Sequence, residues 1–137
     1  MAETSSIIYQ GALRTKATHQ RSGNELITDA PLDNNGRGEA FSPTDLVATA
    51  LGSCMLTVMG IKARAMGFDL EDATASITKI MASAPRRIAE IQVHIRLKQN
   101  CDEPTRELLE ETGRKCPVAQ SLSSDLKQRI SFEWVKE

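Results

Sequence analysis

The stretch that most constrains this chain is an uncharged run, Leu46 to Ile61, inside SPTDLVATALGSCMLTVMGIKARAMG (Ser42–Gly67). Leu46, Val47, Ala50, Leu51, Cys54, Met55, Val58 and Met59 recur at three- and four-residue steps and cover more than one face. That pattern predicts a long helix that other elements or a second subunit must surround on most sides. Ser42 suits the N-cap, Pro43 the first turn, and Asp45 the position from which a carboxylate reaches back to the cap. Lys62 and Arg64 lie where a helix end favours cations, and Gly67 is a natural stop. The uncharged run falls short of the ~20 residues that a bilayer span needs. It also contains Thr49, Gly52, Ser53, Thr57 and Gly60, so it reads as a core helix rather than a membrane helix. Gly52 and Gly60 each weaken an isolated helix by about 1 kcal/mol relative to alanine, which points to the close approach of another backbone, such as a crossing helix.

On either side the periodicity changes to that of strands. Ile7 to Thr18 reads as a strand interrupted at Gly11 or as an extended pair, with Leu13, Thr15 and Ala17 alternating with Arg14, Lys16 and Thr18. A turn at His19–Asn24 leads back into a strand from Glu25 to Thr28. Asp29 to Ala40 is a long loop rich in glycine, asparagine and proline, expected to fold over the first half of the helix. After Gly67, Ala73–Ala82 and Ile88–Lys98 alternate as a long antiparallel hairpin with one packed and one wet face. Asp102 caps a second helix, Pro117 opens a short third one over PVAQSLSSDL, and Gln128–Val135 closes as a strand with Ile130, Phe132 and Trp134 on one face. The order ββ–α–ββ–αα–β is α+β. The 137 residues form one domain, 1–137.

Acids and bases nearly cancel, with a net charge of −1 and no basic run, which argues against a nucleic-acid partner. The N-terminus MAETSSIIYQG has no apolar stretch of signal-peptide length, so a cytoplasmic location is expected. Three cysteines, Cys54, Cys101 and Cys116, are then free thiols or partners in a transient redox bond rather than a disulfide framework. They form no CxxC and no histidine lies near them in sequence, so no metal site is expected. The glycines at 36 and 38 lack the preceding strand and the spacing of a nucleotide-binding loop.

Chemistry therefore rests on thiols. Cys54 follows Gly52 and Ser53 on the central helix, where a buried cysteine ordinarily packs as a small hydrophobe. Becoming a nucleophilic thiolate requires a cation or donor brought from elsewhere in the fold. Cys116 precedes Pro117 at the start of the short third helix and follows Arg114 and Lys115. On electrostatics alone it is the better candidate for a lowered pKa. Cys101 sits beside Asp102 and Glu103, which raise a thiol pKa, and is read as a bystander. Arg14 is an ordinary strand cation unless its face meets the central helix. His19 and His94 show no nucleophile–base pairing.

The run FSPTDLVATALGSC, followed some sixty residues later by KCPVAQSL, resembles the OsmC/Ohr family of osmotically inducible and organic-hydroperoxide-resistance proteins. YQGALRTKATH and LITDAP are similar to its OsmC-like branch, and the similarity spans nearly the whole chain. The resemblance implies an α+β fold with antiparallel sheets packed around long central helices in an intertwined homodimer, its active sites at the subunit interface. It implies thiol-dependent reduction of organic hydroperoxides without metal or organic cofactor. Cys54 then corresponds to the attacking cysteine and Cys116 to the resolving one, with a dithiol reductant restoring both. A bridge between them would stabilise the oxidised fold by ~4 kcal/mol in the loop-entropy picture.

The family's peroxidases hold the thiolate with an arginine of the first hairpin, itself paired with a glutamate ten residues before the first cysteine. Arg14 matches the arginine, but Thr44 stands where the glutamate would be. Glu39 or Asp45 is the carboxylate expected to take its place. The missing glutamate leaves a second reading open, a non-enzymatic stress-associated dimer that holds a small hydrophobic ligand.

Overall fold

The computed structural model describes residues 2–135, which fall into two units, one ending at Val47 and one beginning at Ala48. The first unit is a three-stranded antiparallel sheet in the order β1 (Ser5–Gly11), β2 (Arg14–His19), β3 (Glu25–Asp29). The interruption at Gly11 is a tight turn. Gly11, Ala12 and Leu13 have φ of 83°, 52° and 63°, so the first stretch is an extended pair and the order opens βββ rather than ββ. The β2–β3 register runs from Thr18 opposite Glu25 to Arg14 opposite Asp29. The loop that follows contains a 3-10 turn at Leu32–Asn34 and closes on its own start. The Gly36 N–H donates to the Pro31 carbonyl at 2.9 Å, and the Asp29 N–H to that of Phe41 at 3.0 Å. A Cβ on Gly36 would overlap the carbonyl of Ala30, so this reversal requires glycine.

Helix α1 (Pro43–Ala65) starts as its sequence prescribes. The Asp45 N–H donates to Ser42 Oγ, and the Ser42 N–H to Asp45 Oδ2, both at 3.0 Å, a reciprocal capping box. Gly67, at φ 94°, ends it. By length and composition α1 is long and apolar enough to cross a membrane. Its residues Ala48, Leu51, Gly52, Met55, Met59 and Ala63 are nevertheless buried inside the protein, as in a core helix.

The second unit adds β4 (Thr74–Ala82), β5 (Arg87–Leu97), α2 (Glu103–Arg114), α3 (Pro117–Ser121) and β6 (Lys127–Trp134). Strands β4 and β5 form the expected hairpin, and every second residue of β5 from Ile91 to Leu97 is buried. The expectation of wholly antiparallel sheets does not hold, because β6 pairs parallel to β5, Glu90 opposite Lys127 through Leu97 opposite Trp134. The reason is the connection: α2 and α3 carry the chain back to the end where β5 began, as a parallel pair requires. The core is Leu51, Met55, Met59, Ile91, Val93, Ile95, Leu97 and Leu109, all fully or nearly fully buried.

The glycine expectation is corrected at Gly52. A Cβ on Gly52 would overlap Ile77 Cδ1, a side chain of β4 rather than another backbone, and Gly60 has no such neighbour within 4 Å. The close helix approach is at Gly113 of α2, where a Cβ would lie 2.8 Å from Met59 Sδ.

Candidate thiol site and its supporting ion pair

Two chemical assemblies stand out, one in each unit. In the second, α1 carries Cys54, half-buried, and the break between α2 and α3 carries Cys116, 1% exposed. Cys116 is the N-cap of α3, its Sγ accepting the Ala119 N–H at 3.4 Å. The fold brings the two sulfurs, far apart in sequence, into interaction. Burial pushes the Cys116 thiol up first of all, the Ala119 N–H opposes this, and a hydrogen bond and charge interaction with Cys54 push it up further. The expectation of a lowered Cys116 pKa is therefore wrong. Burial outweighs a five-residue helix, and the neighbouring cations are engaged elsewhere. The Arg114 guanidinium lies 5.2 Å from the Phe132 ring centre, and Lys115 Nζ is 2.7 Å from Glu111 Oε1. Cys116 is thus held in its neutral form beside Cys54, which makes it a poor first nucleophile. All three cysteines are free. Burial, opposed by Arg106 and reinforced by Asp102, raises the Cys101 pKa, and no interaction links Cys101 to the pair among the described residues.

In the first unit, β2 and β3 set Arg14 against Asp29. Nε and Nη2 of Arg14 donate to Asp29 Oδ1 and Oδ2 at 2.7 and 2.9 Å. Asp29 is 1% exposed and also accepts the Glu39 N–H at 3.2 Å. The hydrogen bonds from Arg14 hold its carboxyl below the usual carboxylate range, against the opposing effect of burial. Glu39, one of the expected carboxylates, forms a second and longer ion pair with Arg14. Asp45 is occupied in the α1 cap, and the Glu39 carboxylate stands 3.9 Å from Arg14 Nη2 and is 66% exposed. The Thr44 hydroxyl pairs with that of Ser42 at 3.2 Å. Asp29, the last residue of β3, was missed, although the hairpin register carries the signal: pairing outward from the turn at 19–24 sets position 14 opposite position 29.

Two grooves follow α1 in the second unit, one of about 380 Å³ bounded by Leu56, Gly60, Ile61 and Arg64, the other of about 480 Å³ between Gly52, Ser53 and β4. Neither is lined by Cys54 or Cys116. On the exposed face of the second sheet, His94 bridges Ser131 Oγ at 2.7 Å and Glu133 Oε1 at 2.9 Å. His94 lies directly across the parallel pairing from Ser131, so a pairing hidden in the sequence becomes a polar ladder on a wet face.

None of the curated proteins matches this chain. Among solved structures, one from Psychrobacter arcticus 273-4, described as an osmotic stress induced and detoxification response protein, is 50% identical over 97% of each chain, with a TM-score of 0.94. An organic hydroperoxide resistance protein OsmC from Legionella pneumophila shares the fold at 16% identity, over 97% of this chain and 98% of that one, TM-score 0.76. So does an organic hydroperoxide resistance protein from Elizabethkingia anophelis at 12% identity, over 98% of this chain and 99% of that one, TM-score 0.75. Residues 36–131, most of the chain, match the family described as OsmC-like protein. With α1, both cysteines of the pair and most of the second sheet inside that match, the chain belongs to the OsmC-like protein family.

Proposed function

We propose that this protein is a thiol-dependent peroxidase that reduces organic hydroperoxides through Cys54 and Cys116. The observation that carries this reading is the pair itself: a half-buried thiol on α1 with a buried, proton-retaining thiol beside it. The Cys54 thiolate attacks the outer oxygen of the hydroperoxide. An S–O bond forms, the O–O bond breaks, and the alkoxide leaves and takes up a proton as the alcohol. Cys54 is then a sulfenic acid. The Cys116 sulfur displaces its hydroxyl, which departs as water with the Cys116 proton, and a disulfide remains. A dithiol reductant reverses the bridge by two thiol exchanges and is itself oxidised to a disulfide. Arg14 supplies the cation that holds the attacking thiolate. The apolar wall of α1 suits an organic substrate.

The working unit is a homodimer of one-domain chains acting in the cytoplasm, with its helices and sheets intertwined. This assembly is supported by the apolar surface a single chain leaves open: Ile7, Ile8 and Tyr9 of β1 are 67%, 59% and 63% exposed, and Ile61 of α1 is 65% exposed.

The test counts free thiols after a stoichiometric dose of cumene hydroperoxide. Two of the three thiols per chain should disappear, and Cys54→Ser should abolish the loss. Cys116→Ser should leave a sulfenic acid on Cys54 that dimedone traps. A full complement of thiols after minutes of exposure would overturn the peroxidase reading in favour of a ligand-holding dimer.

A further inference from the structure

We infer that Asp29 is the positioning residue for Arg14, fixing the guanidinium by its Nε–Nη2 edge so that the Nη1 edge is the one offered to the reacting anion. The inference rests on the reading above, in which Arg14 serves Cys54, and adds the residue that gives Arg14 its orientation.

The geometry is that of a fork on a fork. Two parallel N–H···O bonds of 2.7 and 2.9 Å tie one edge of the guanidinium to both oxygens of one carboxylate. That pairing fixes direction as well as distance, because the guanidinium is planar and its donors lie in a fixed fan. Nη1 has no hydrogen-bond acceptor among the described residues, and the Arg14 side chain is 24% exposed, so its second edge remains available.

Asp29 is itself immobilised. Its N–H donates to the Phe41 carbonyl at 3.0 Å, and the next residue's N–H, that of Ala30, donates to the Leu13 carbonyl at 3.0 Å. Its Oδ2 also accepts the Glu39 N–H. A carboxylate at the end of a paired strand, 1% exposed and bonded from the chain on both sides, is a rigid mount. Glu39, two-thirds exposed and at 3.9 Å, makes no such mount. The position ten residues before Cys54 offers only the Thr44 hydroxyl, which pairs with Ser42. A carboxylate on β3 therefore performs here the task that the family's peroxidases give to a glutamate ten residues before the first cysteine.

The experiment compares full-length wild type with Arg14→Ala, Asp29→Asn and the double variant. One readout is the rate of Cys54 oxidation by cumene hydroperoxide. The other, independent of turnover, is the pH profile of Cys54 labelling by iodoacetamide, read on its peptide by mass spectrometry. Asp29→Asn should slow oxidation by about tenfold or more, as a misdirected catalytic group does. It should also move the labelling midpoint in the same direction as Arg14→Ala. The double variant should be no worse than Arg14→Ala alone. If Arg14→Ala moves the profile while Asp29→Asn leaves it at the wild-type midpoint, the positioning role is overturned and the role of Arg14 stands. If Arg14→Ala moves nothing, the reading of Arg14 falls and the role of Asp29 falls with it. Should Asp29→Asn fail to fold, Asp29→Glu, which keeps the charge one methylene further out, must give an oxidation rate between wild type and Arg14→Ala. A wild-type rate in that variant overturns the inference.

Discussion

The two units bury opposite kinds of residue. Up to Val47, the buried residues among those described are Thr28, Asp29 and Ser42, all polar. From Ala48 onward they are overwhelmingly apolar, from Leu51 and Met55 through Ile95 and Leu109. The second unit is thus held by area removed from water, which is non-directional and tolerant. The first is held by directed bonds: the Arg14–Asp29 fork, the loop closing on Pro31 and the α1 cap. A three-stranded sheet without an apolar core of its own is marginal in water, and β1 leaves Ile7, Ile8 and Tyr9 exposed across both of its faces. One unit makes a stable frame for the thiols, and the other holds one charged group in a fixed direction.

The largest effect that would break this contrast is a cavity in the second unit. Ile95 lies on the central strand of its sheet and is fully buried. Ile95→Ala should cost about 2–5 kcal/mol by urea denaturation, as truncation of a buried isoleucine does. If the loss is under about 1 kcal/mol, the β5 face is not the frame described here.

Acid should act on the first unit instead. The hydrogen bonds from Arg14 depress the Asp29 pKa in the folded protein. A group whose folded pKa lies below its unfolded one contributes stability fully above the unfolded value, about pH 4, and loses it as pH falls through the folded value. The depressed carboxylates of the second unit, Glu90, Asp102, Glu111 and Glu133, include members of exposed pairs, which hold little. Amide exchange should therefore show Glu39 and its loop opening below pH 4 while the amides of β5 stay protected. Asp29→Asn should remove that pH dependence from the loop. Simultaneous opening of Glu39 and β5 would mean that the two units do not differ in what holds them.

What could be read in advance follows the same division. The alternation of Ile91, Val93, Ile95 and Leu97, the Ser42–Asp45 box and the Asp102 cap are local patterns set by apolar spacing and short-range bonds, and each forms as expected. The missed features depend on what lies far along the chain. The fork needs the register of a hairpin to be carried from its turn to its far end. The parallel β6 needs the path of two helices. The Cys116 thiol needs to be known as buried, which its sequence neighbours Arg114 and Lys115 conceal by turning to Phe132 and Glu111. Gly52 looked like a site for a crossing backbone because a glycine states only that space is needed, not that Ile77 fills it. The motifs around Cys54 and Cys116 marked them as candidates, whereas nothing local marked the carboxylate that forks Arg14.

The smallest expected effect tests whether direction, rather than charge alone, is what the first unit uses. Lys16 and Glu25 form a second ion pair on the same hairpin, Nζ to Oε2 at 3.3 Å, on a diagonal two residues out of register, with side chains 39% and 52% exposed. It has the same sign pattern as Arg14–Asp29 but one contact instead of two, a flexible ammonium instead of a fork, and water around both partners. Exposed pairs of this kind contribute about 0.2–1 kcal/mol and are weakened by salt. Lys16→Ala should therefore lower stability by less than about 1 kcal/mol, with the difference from wild type shrinking as salt is added, and should leave the Cys54 labelling profile where it was. A shift in that profile as large as the one caused by Asp29→Asn would mean that bulk charge on the hairpin, and not the mount beneath Arg14, sets the state of the thiol.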